Sequence, residues 1–280
     1  MVIRTLMEDT SSGELWEKEH GLSLYLETDR HRLLFDTGKS GLFLTNAARM
    51  EVDVSKIDTV VISHGHYDHG GGLPAFLEQN KEAVVYLHEE ALEPYFVRRE
   101  EGGIDYIGID QTLRENSQIR PINGTMNIDK ELTIFSDVTG QELRSEANDI
   151  LLERKDGEYQ KDRFSHEQNL IVRIKDGTRL LISGCAHSGI VNIIERFKEL
   201  EGAAPDVVIG GFHLMEPGNG RSIPRDQVEA VADRLLSYEG EKNVTRYYTC
   251  HCTGTEAYGI LKERMGDRVS YLSAGSEIYL

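Results

Sequence analysis

The chain has little cysteine, little proline and no long apolar run. Only three cysteines and six prolines occur in 280 residues. Three thiols cannot all pair, and Cys185, Cys250 and Cys252 sit beside candidate metal ligands, which argues against a disulfide framework. No Pro- or Ser-rich linker and no repeat interrupts the sequence, so one domain over residues 1–280 is expected. No apolar stretch approaches the roughly 20 residues needed to cross a bilayer, and residues 1–9 lack a signal-peptide core, so a cytoplasmic protein without a membrane partner is expected. The matches Asn123-Gly124-Thr125 and Asn243-Val244-Thr245 to a glycosylation acceptor are then without meaning. Positive charge is scarce too: 31 Lys and Arg stand against 48 Asp and Glu, a net of −17. Such a balance repels phosphate backbones and anionic lipid, so nucleic acid is not expected as a partner and a small-molecule substrate is.

What the chain does have is histidine in one place. The segment Ser63-His64-Gly65-His66-Tyr67-Asp68-His69-Gly70-Gly71-Gly72 puts three imidazoles and a carboxylate within six residues, directly after the apolar run Thr59-Val60-Val61-Ile62. If the chain stays roughly extended after Ile62, alternation brings His64, His66 and Asp68 to one side while His69 serves an adjacent position. Imidazole and carboxylate suit zinc first, with manganese or iron as alternatives. Four such donors crowd one ion and serve two, and two ions about 3.5–4 Å apart share a bridging hydroxide in many hydrolases. The three glycines let the chain pass close to the ions and enter a helix. They are no P-loop, because no Lys-Ser or Lys-Thr pair follows.

Strands and helices alternate along the rest of the chain. Residues 22–27 and 32–35 read as a hairpin, and residues 169–174 and 179–183 as a second one around Asp176-Gly177. Helical faces follow at Ile190, Ile193, Ile194, Phe197 and Leu200, at Val228, Val231, Leu235 and Leu236 after Pro224, and at Ala257, Ile260 and Leu261 before Gly266. His64, Cys185 with His187, His213 and His251 each follow a predicted strand by one to four residues, the usual address of sites in open α/β sheets. Cys185 reads either as a thiolate ligand or as a small buried thiol. His213 reads as a substrate, metal or structural residue; His20 and His88 read as ordinary.

The pattern His64-x-His66-x-Asp68-His69, with Phe35-Asp36-Thr37-Gly38 upstream, resembles the signature of the metallo-β-lactamase superfamily. Together with Gly21-Leu22-Ser23, Gly184-Cys185-Ala186-His187, Gly210-Gly211-Phe212-His213-Leu214 and His251-Cys252-Thr253-Gly254, it resembles the branch labelled 7,8-dihydropterin-6-yl-methyl-4-(β-D-ribofuranosyl)aminobenzene 5'-phosphate synthase. The resemblance implies an αββα sandwich, two mixed sheets with helices on the outer faces. It also implies two divalent ions held by His64, His66, Asp68, His69, His187 and His251, with Asp36 orienting a ligand from behind. The superfamily's usual placement of a histidine ahead of the second hairpin points instead to His166, with Cys185 as a further ligand. The branch phrase Gly-Cys-x-His favours His187.

The expected activity is hydrolysis of a small ester, phosphoester, lactone or thioester by a metal-bridging hydroxide, with Asp68 orienting the nucleophile and taking its proton and His213 or Tyr67 serving the developing oxyanion. A pterin-pathway synthase and an iron-dependent redox enzyme are the alternatives. Residues from about 89 to 163 read as a lid or pocket wall in which Arg98, Arg99, Arg114 and Arg120 are candidates to receive an anionic or phosphorylated group. Oligomeric state is not legible.

Overall fold

The computed structural model describes residues 1–218, 220–240, 242 and 244–280; Asn243 of the second glycosylation match lies outside them. Contacts divide the chain into two compact units. The first comprises Met1–Asn123, Asp149–Gln168 and Ser273–Leu280, the second Gly124–Asn148 and Asn169–Leu272.

In the first unit a seven-stranded sheet runs in the order Glu277–Tyr279, Val2–Met7, Ser23–Glu27, Arg32–Phe35, Thr59–Val61, Val84–His88 and Ile119–Ile122. The expected hairpin pairs Leu24 with Phe35 and Leu26 with Leu33. A short turn can only return the chain antiparallel, so the sheet becomes parallel where helical crossovers intervene, from Arg32–Phe35 through Ile119–Ile122. Alternate residues Tyr25, Leu34, Val60 and Val85 form one apolar cluster with Phe43 and Ala47 of the helix Phe43–Arg49 and with Leu73, Phe76 and Leu77 of the helix Leu73–Gln79. The glycines ahead of the second helix serve backbone packing. A Cβ on Gly72 would lie 2.2 Å from the Thr37 carbonyl oxygen and 2.6 Å from that of Ser40.

A small antiparallel sheet in the same unit orders Glu158–Lys161, Leu151–Lys155, Tyr95–Arg98 and Ile104–Tyr106. Its buried side sets Tyr95, Val97 and Leu151 against Ile107, Phe164 and Tyr67. The stretch 89–163 is therefore not one appendage, because Ile119–Ile122 closes the first large sheet and Leu132–Phe135 belongs to the second unit.

The second unit repeats the plan with the order Val269–Tyr271, Arg246–Thr249, Val207–Gly210, Arg179–Ile182, Asn169–Arg173, Leu132–Phe135 and Met126–Asn127. The hairpin around Asp176-Gly177 pairs Leu170 with Ile182, and the strands from Arg179–Ile182 to Val269–Tyr271 are parallel. Helices Ile190–Glu201, Arg225–Leu236 and Thr255–Met265 make the crossovers. The expected stripes Ile190, Ile193, Ile194 and Phe197, then Val228, Val231 and Leu235, then Ala257 and Leu261, are buried in one cluster, with Leu200, Leu236 and Ile260 at its margin. Pro224 caps its helix at the amino end, and Gly266 follows the last residue of Thr255–Met265. Both units thus have the mixed α/β character expected of the fold class.

Phe197 has no exposed surface and sits inside this cluster. Phe197→Ala is expected to cost about 3–5 kcal/mol of stability, read as a lower urea midpoint, whereas Leu15→Ala at an exposed position should leave it within about 0.5 kcal/mol.

Candidate metal centre

The histidine loop is built around one buried carboxylate. Asp36 ends the strand Arg32–Phe35 in a left-handed conformation, and its backbone N–H still donates to the Val61 carbonyl of the next strand at 2.9 Å. Its Oδ1 accepts from the Ser63 N–H at 2.7 Å; its Oδ2 accepts from the Ser63 hydroxyl at 2.7 Å and faces His69 Nδ1 at 2.6 Å. Ser63 Oγ in turn lies 2.8 Å from His64 Nδ1. The Ser63 proton goes to the carboxylate, so His64 Nδ1 is the donor to Ser63, and His69 Nδ1 is the donor to Asp36. Nε2 is therefore the lone-pair nitrogen of both rings. The sequence marks Asp36 as an orienting carboxylate; the structure gives it these partners.

The chain does not stay extended beyond His66. A helical turn, Tyr67–Gly70, begins directly after it and delivers Asp68 and His69. The rings still gather, with His64 centred 4.5 Å from His66 and 4.2 Å from His69, and Asp68 Oδ2 3.6 Å from His69 Nε2. Burial pushes the His66 imidazole below the ordinary histidine value, with Asp162 only partly opposing it, so the ring is neutral near pH 7, the form that can ligate. Three imidazoles and a carboxylate, all buried, fit a divalent ion of borderline softness.

His20, read as ordinary in the sequence, points Nε2 at Asp68 Oδ2 from 3.4 Å and is held at Nδ1 by Asp9 at 2.9 Å. His166 has both ring nitrogens engaged, Nδ1 by the Gly65 N–H at 2.9 Å and Nε2 by Asp162 Oδ2 at 3.1 Å. The candidate ligand atoms of His66, Asp162 and His166 all lie within 4.8 Å of one another, so the expectation of His166 as a possible ligand stays open beside these contacts. Asp162 has no sequence signal except its four-residue spacing from His166. Burial alone would push its carboxyl up, but His166 and His66 more than reverse that and hold it below the usual carboxylate range.

In the second unit the strand Arg179–Ile182 leads to Cys185 and His187, with Ala186 between them in a left-handed turn. Asn148 brackets His187: its amide N–H donates to the His187 carbonyl at 2.9 Å, so its Oδ1, 2.8 Å from His187 Nδ1, accepts there. Nε2 is thus the lone-pair nitrogen of His187 as well. His251 opens the short helical turn His251–Thr253 after the strand Arg246–Thr249. That loop is stapled to the one holding His213, since the Thr253 hydroxyl accepts from the Phe212 N–H at 2.9 Å and meets Thr249 Oγ1 at 2.5 Å.

His213 is buried, in a left-handed conformation, with its ring 4.2 Å from that of His187. Neither of its nitrogens meets an oxygen or nitrogen partner among the described residues; its polar neighbours are the sulfurs of Cys185 and Cys252, with all the candidate donor atoms of the three residues within 4.8 Å of one another. Burial would raise the Cys252 thiol, but Cys185 and His213 more than reverse this and hold it well below its ordinary value. Gly211 permits the close approach, because a Cβ there would lie 2.3 Å from Cys252 Sγ. None of the three cysteines forms a disulfide. Sequence reasoning missed Cys252, Asn148 and Asp162.

Three of the four arginines offered for an anion are spent locally. Arg99 pairs with Asp105 at 2.7 Å, Arg114 with Glu93 at 2.7 Å, and Arg120 donates to the Ser117 and Ile119 carbonyls. Among the described residues, no helix is long and apolar enough to cross a membrane.

The chain resembles known proteins along nearly its whole length. An uncharacterized protein of Methanocaldococcus jannaschii is 32% identical over 91% of this chain and 92% of its own. The 7,8-dihydropterin-6-methyl-4-(β-D-ribofuranosyl)-aminobenzene-5'-phosphate synthase of the same organism is 26% identical over 99% of this chain and 95% of its own. Among solved structures, Tm1679, a metal-dependent hydrolase of the β-lactamase superfamily, matches with a TM-score of 0.79 at 31% identity, covering 100% of this chain and 99% of that one. The family model of the metallo-β-lactamase superfamily matches residues 17–251, and the chain belongs to that superfamily.

Proposed function

We propose that the protein is a metal-dependent hydrolase of a small ester, phosphoester, lactone or thioester, holding two divalent ions, zinc foremost, with His64, His66, Asp68, His69, His187 and His251. The observation that carries this reading is the tautomer control at His64, His69 and His187. Ser63, Asp36 and Asn148 each take an Nδ1 proton and so make Nε2 the lone-pair nitrogen of each ring, the sense in which a metal-ligating imidazole is held. The donor types fit zinc, and Tm1679 is named a metal-dependent hydrolase. When bound, two such ions lower the pKa of water toward neutrality and polarise the scissile oxygen.

The residues supply the rest. Asp68, the carboxylate of the loop, orients the attacking water and takes its proton. His20, facing Asp68 and half exposed, lies where the loop meets solvent. His213 is without a committed nitrogen partner among the described residues and donates to the oxygen on which charge develops.

A second reading has its own support. The synthase of M. jannaschii matches 99% of this chain, and its name describes a product that joins a dihydropterin-methyl unit to a ribosyl-aminobenzene phosphate. The same loop would then serve a condensation, with a phosphorylated substrate. Incubating the zinc-loaded protein with a panel of phosphomonoesters, phosphodiesters, lactones and thioesters, and separately with pterin and ribosyl-aminobenzene phosphate precursors, separates the two. Turnover in the panel supports the hydrolase. The joined product, with no panel turnover, overturns it in favour of the synthase.

On a cleaved substrate, Asp68→Asn is expected to lower kcat by about 10²-fold or more, and His213→Ala to lower kcat with metal content unchanged. Full activity in Asp68→Asn would end the proton-transfer role. Asp36→Asn replaces an acceptor-only group beside His69 with an amide that can also donate, and is expected to weaken metal binding about 10–100-fold in a chelator competition.

A further inference from the structure

We propose that Asp162 and His166 form a buried positioning couple that sets the tautomer of His66 and the path of the chain at Gly65, and that His166 acts as this bridge and not as a metal ligand. The inference rests on the proposed ligand role of His66. The starting point is a backbone donor whose identity is not in doubt: the Gly65 N–H can only donate, and the atom 2.9 Å from it is His166 Nδ1. That nitrogen is therefore an acceptor, the ring's proton sits on Nε2, and Nε2 donates to Asp162 Oδ2 at 3.1 Å.

The same carboxylate oxygen lies 3.8 Å from His66 Nε2. This is longer than a full hydrogen bond, yet the field of a buried carboxylate at that range favours the proton on the near nitrogen. His66 is thereby left with Nδ1 as its lone pair, the opposite sense to His64 and His69. The other carboxylate oxygen, Asp162 Oδ1, accepts from the Phe164 N–H at 2.7 Å. Both oxygens thus have N–H partners, as a fully buried carboxylate requires.

The couple is held rigidly. The Tyr95 ring of the small sheet lies 3.9 Å from that of His166, centre to centre, and His66 is 5.4 Å from His166 on the same measure. Two residues further on, Gln168 donates from its backbone to the Ser63 carbonyl at 2.8 Å and from its side chain to the Ile62 carbonyl at 2.8 Å. Residues 162–168 therefore clamp residues 62–66 by four hydrogen-bonded or charged contacts, all reaching across about a hundred positions of sequence.

The test uses the full-length protein and reads metal binding and ring protonation separately from activity. In His166→Gln the amide oxygen can accept from Gly65 and the amide nitrogen can donate to Asp162, while the imidazole is gone; in His166→Leu both bonds are lost. Zinc stoichiometry and affinity are measured by competition with a chromophoric chelator. The His66 tautomer in the metal-free protein is read from long-range ¹H–¹⁵N correlations. The expected result is full stoichiometry in His166→Gln with affinity close to wild type, an affinity loss of about 10–100-fold in His166→Leu and Asp162→Asn, and an Nε2–H tautomer of His66 that is lost in Asp162→Asn.

Loss of an ion in His166→Gln, as in His64→Gln, would make His166 a ligand and overturn the proposal. So would wild-type affinity in both His166→Leu and Asp162→Asn, or an Nδ1–H tautomer of His66 in the wild type. A wild-type protein that binds no zinc, manganese or iron would remove the proposed function instead. The tautomer measurement would then still decide whether the couple acts on His66.

Discussion

The Asp36 carboxylate is the constraint from which the histidine loop takes its shape. It is wholly buried, and a carboxylate so placed costs several kcal/mol unless its oxygens are satisfied. The Ser63 N–H, the Ser63 hydroxyl and His69 Nδ1 satisfy them, and all three belong to the chain leaving the neighbouring strand. Desolvation therefore works as a geometric instruction: the loop has to bring residues 63 and 69 back to one point, which is why a helical turn closes directly after His66. The Thr37 N–H and hydroxyl, both on the His69 carbonyl at 2.7 and 3.0 Å, fix the far end of that turn. Glycines follow because Gly71 and Gly72 run against the backbone carbonyls of Lys39, Thr37 and Ser40 and Gly70 lies against the Ile109 side chain, with no room for a Cβ at any of the three.

The second unit solves a similar problem with neutral groups. Here a hydroxyl pair, Thr249 and Thr253, and one amide, Asn148, position the side chains. The left-handed conformations of Asp36, Ala186, His213 and His251 all fall at the ends of strands or in the turns that follow. Such conformations are unfavourable for residues with a Cβ and persist where surrounding bonds over-determine them. At Asp36, His213 and His251 the residue in this conformation itself carries the polar side chain, and at Ala186 it separates Cys185 from His187.

Local patterns in the sequence were sufficient for the hairpins and the helical stripes, but not for the helical turn Tyr67–Gly70 inside the histidine loop. Alternation, a turn pair such as Asp176-Gly177 and a spacing such as that of Ile190, Ile193 and Phe197 act over a few residues, and the structure uses them as read. Residues that act across the sequence were not legible. Asn148 reaches His187 across 39 positions, and His166 reaches Gly65 across 101. No periodicity encodes such a meeting. His166 shows the limit well: a lone histidine ahead of a hairpin looks the same in sequence whether its nitrogens face an ion or an N–H and a carboxylate. The only trace was the four-residue interval from Asp162, which is the ion-pair spacing of a helix, yet here it spans a turn.

The choice between the two proposed chemistries does not reside in the histidine loop. A hydrolase and a condensing enzyme both need neutral imidazoles and an ionised carboxylate there, and one fold hosts both. Discrimination has to come from groups that touch the rest of the substrate. A phosphorylated substrate requires cations free to meet it, and Arg99, Arg114 and Arg120 already spend their donors on Asp105, Glu93 and nearby carbonyls. In a chain of net charge −17, attraction of an anion cannot come from the overall field either, which is repulsive. Any affinity for a phosphate must therefore be local and short-ranged, made by the ions themselves, by N–H donors close to them or by a cationic side chain such as Arg98. The weaker the salt dependence of substrate binding, the more firmly such contacts, and not long-range steering, account for it.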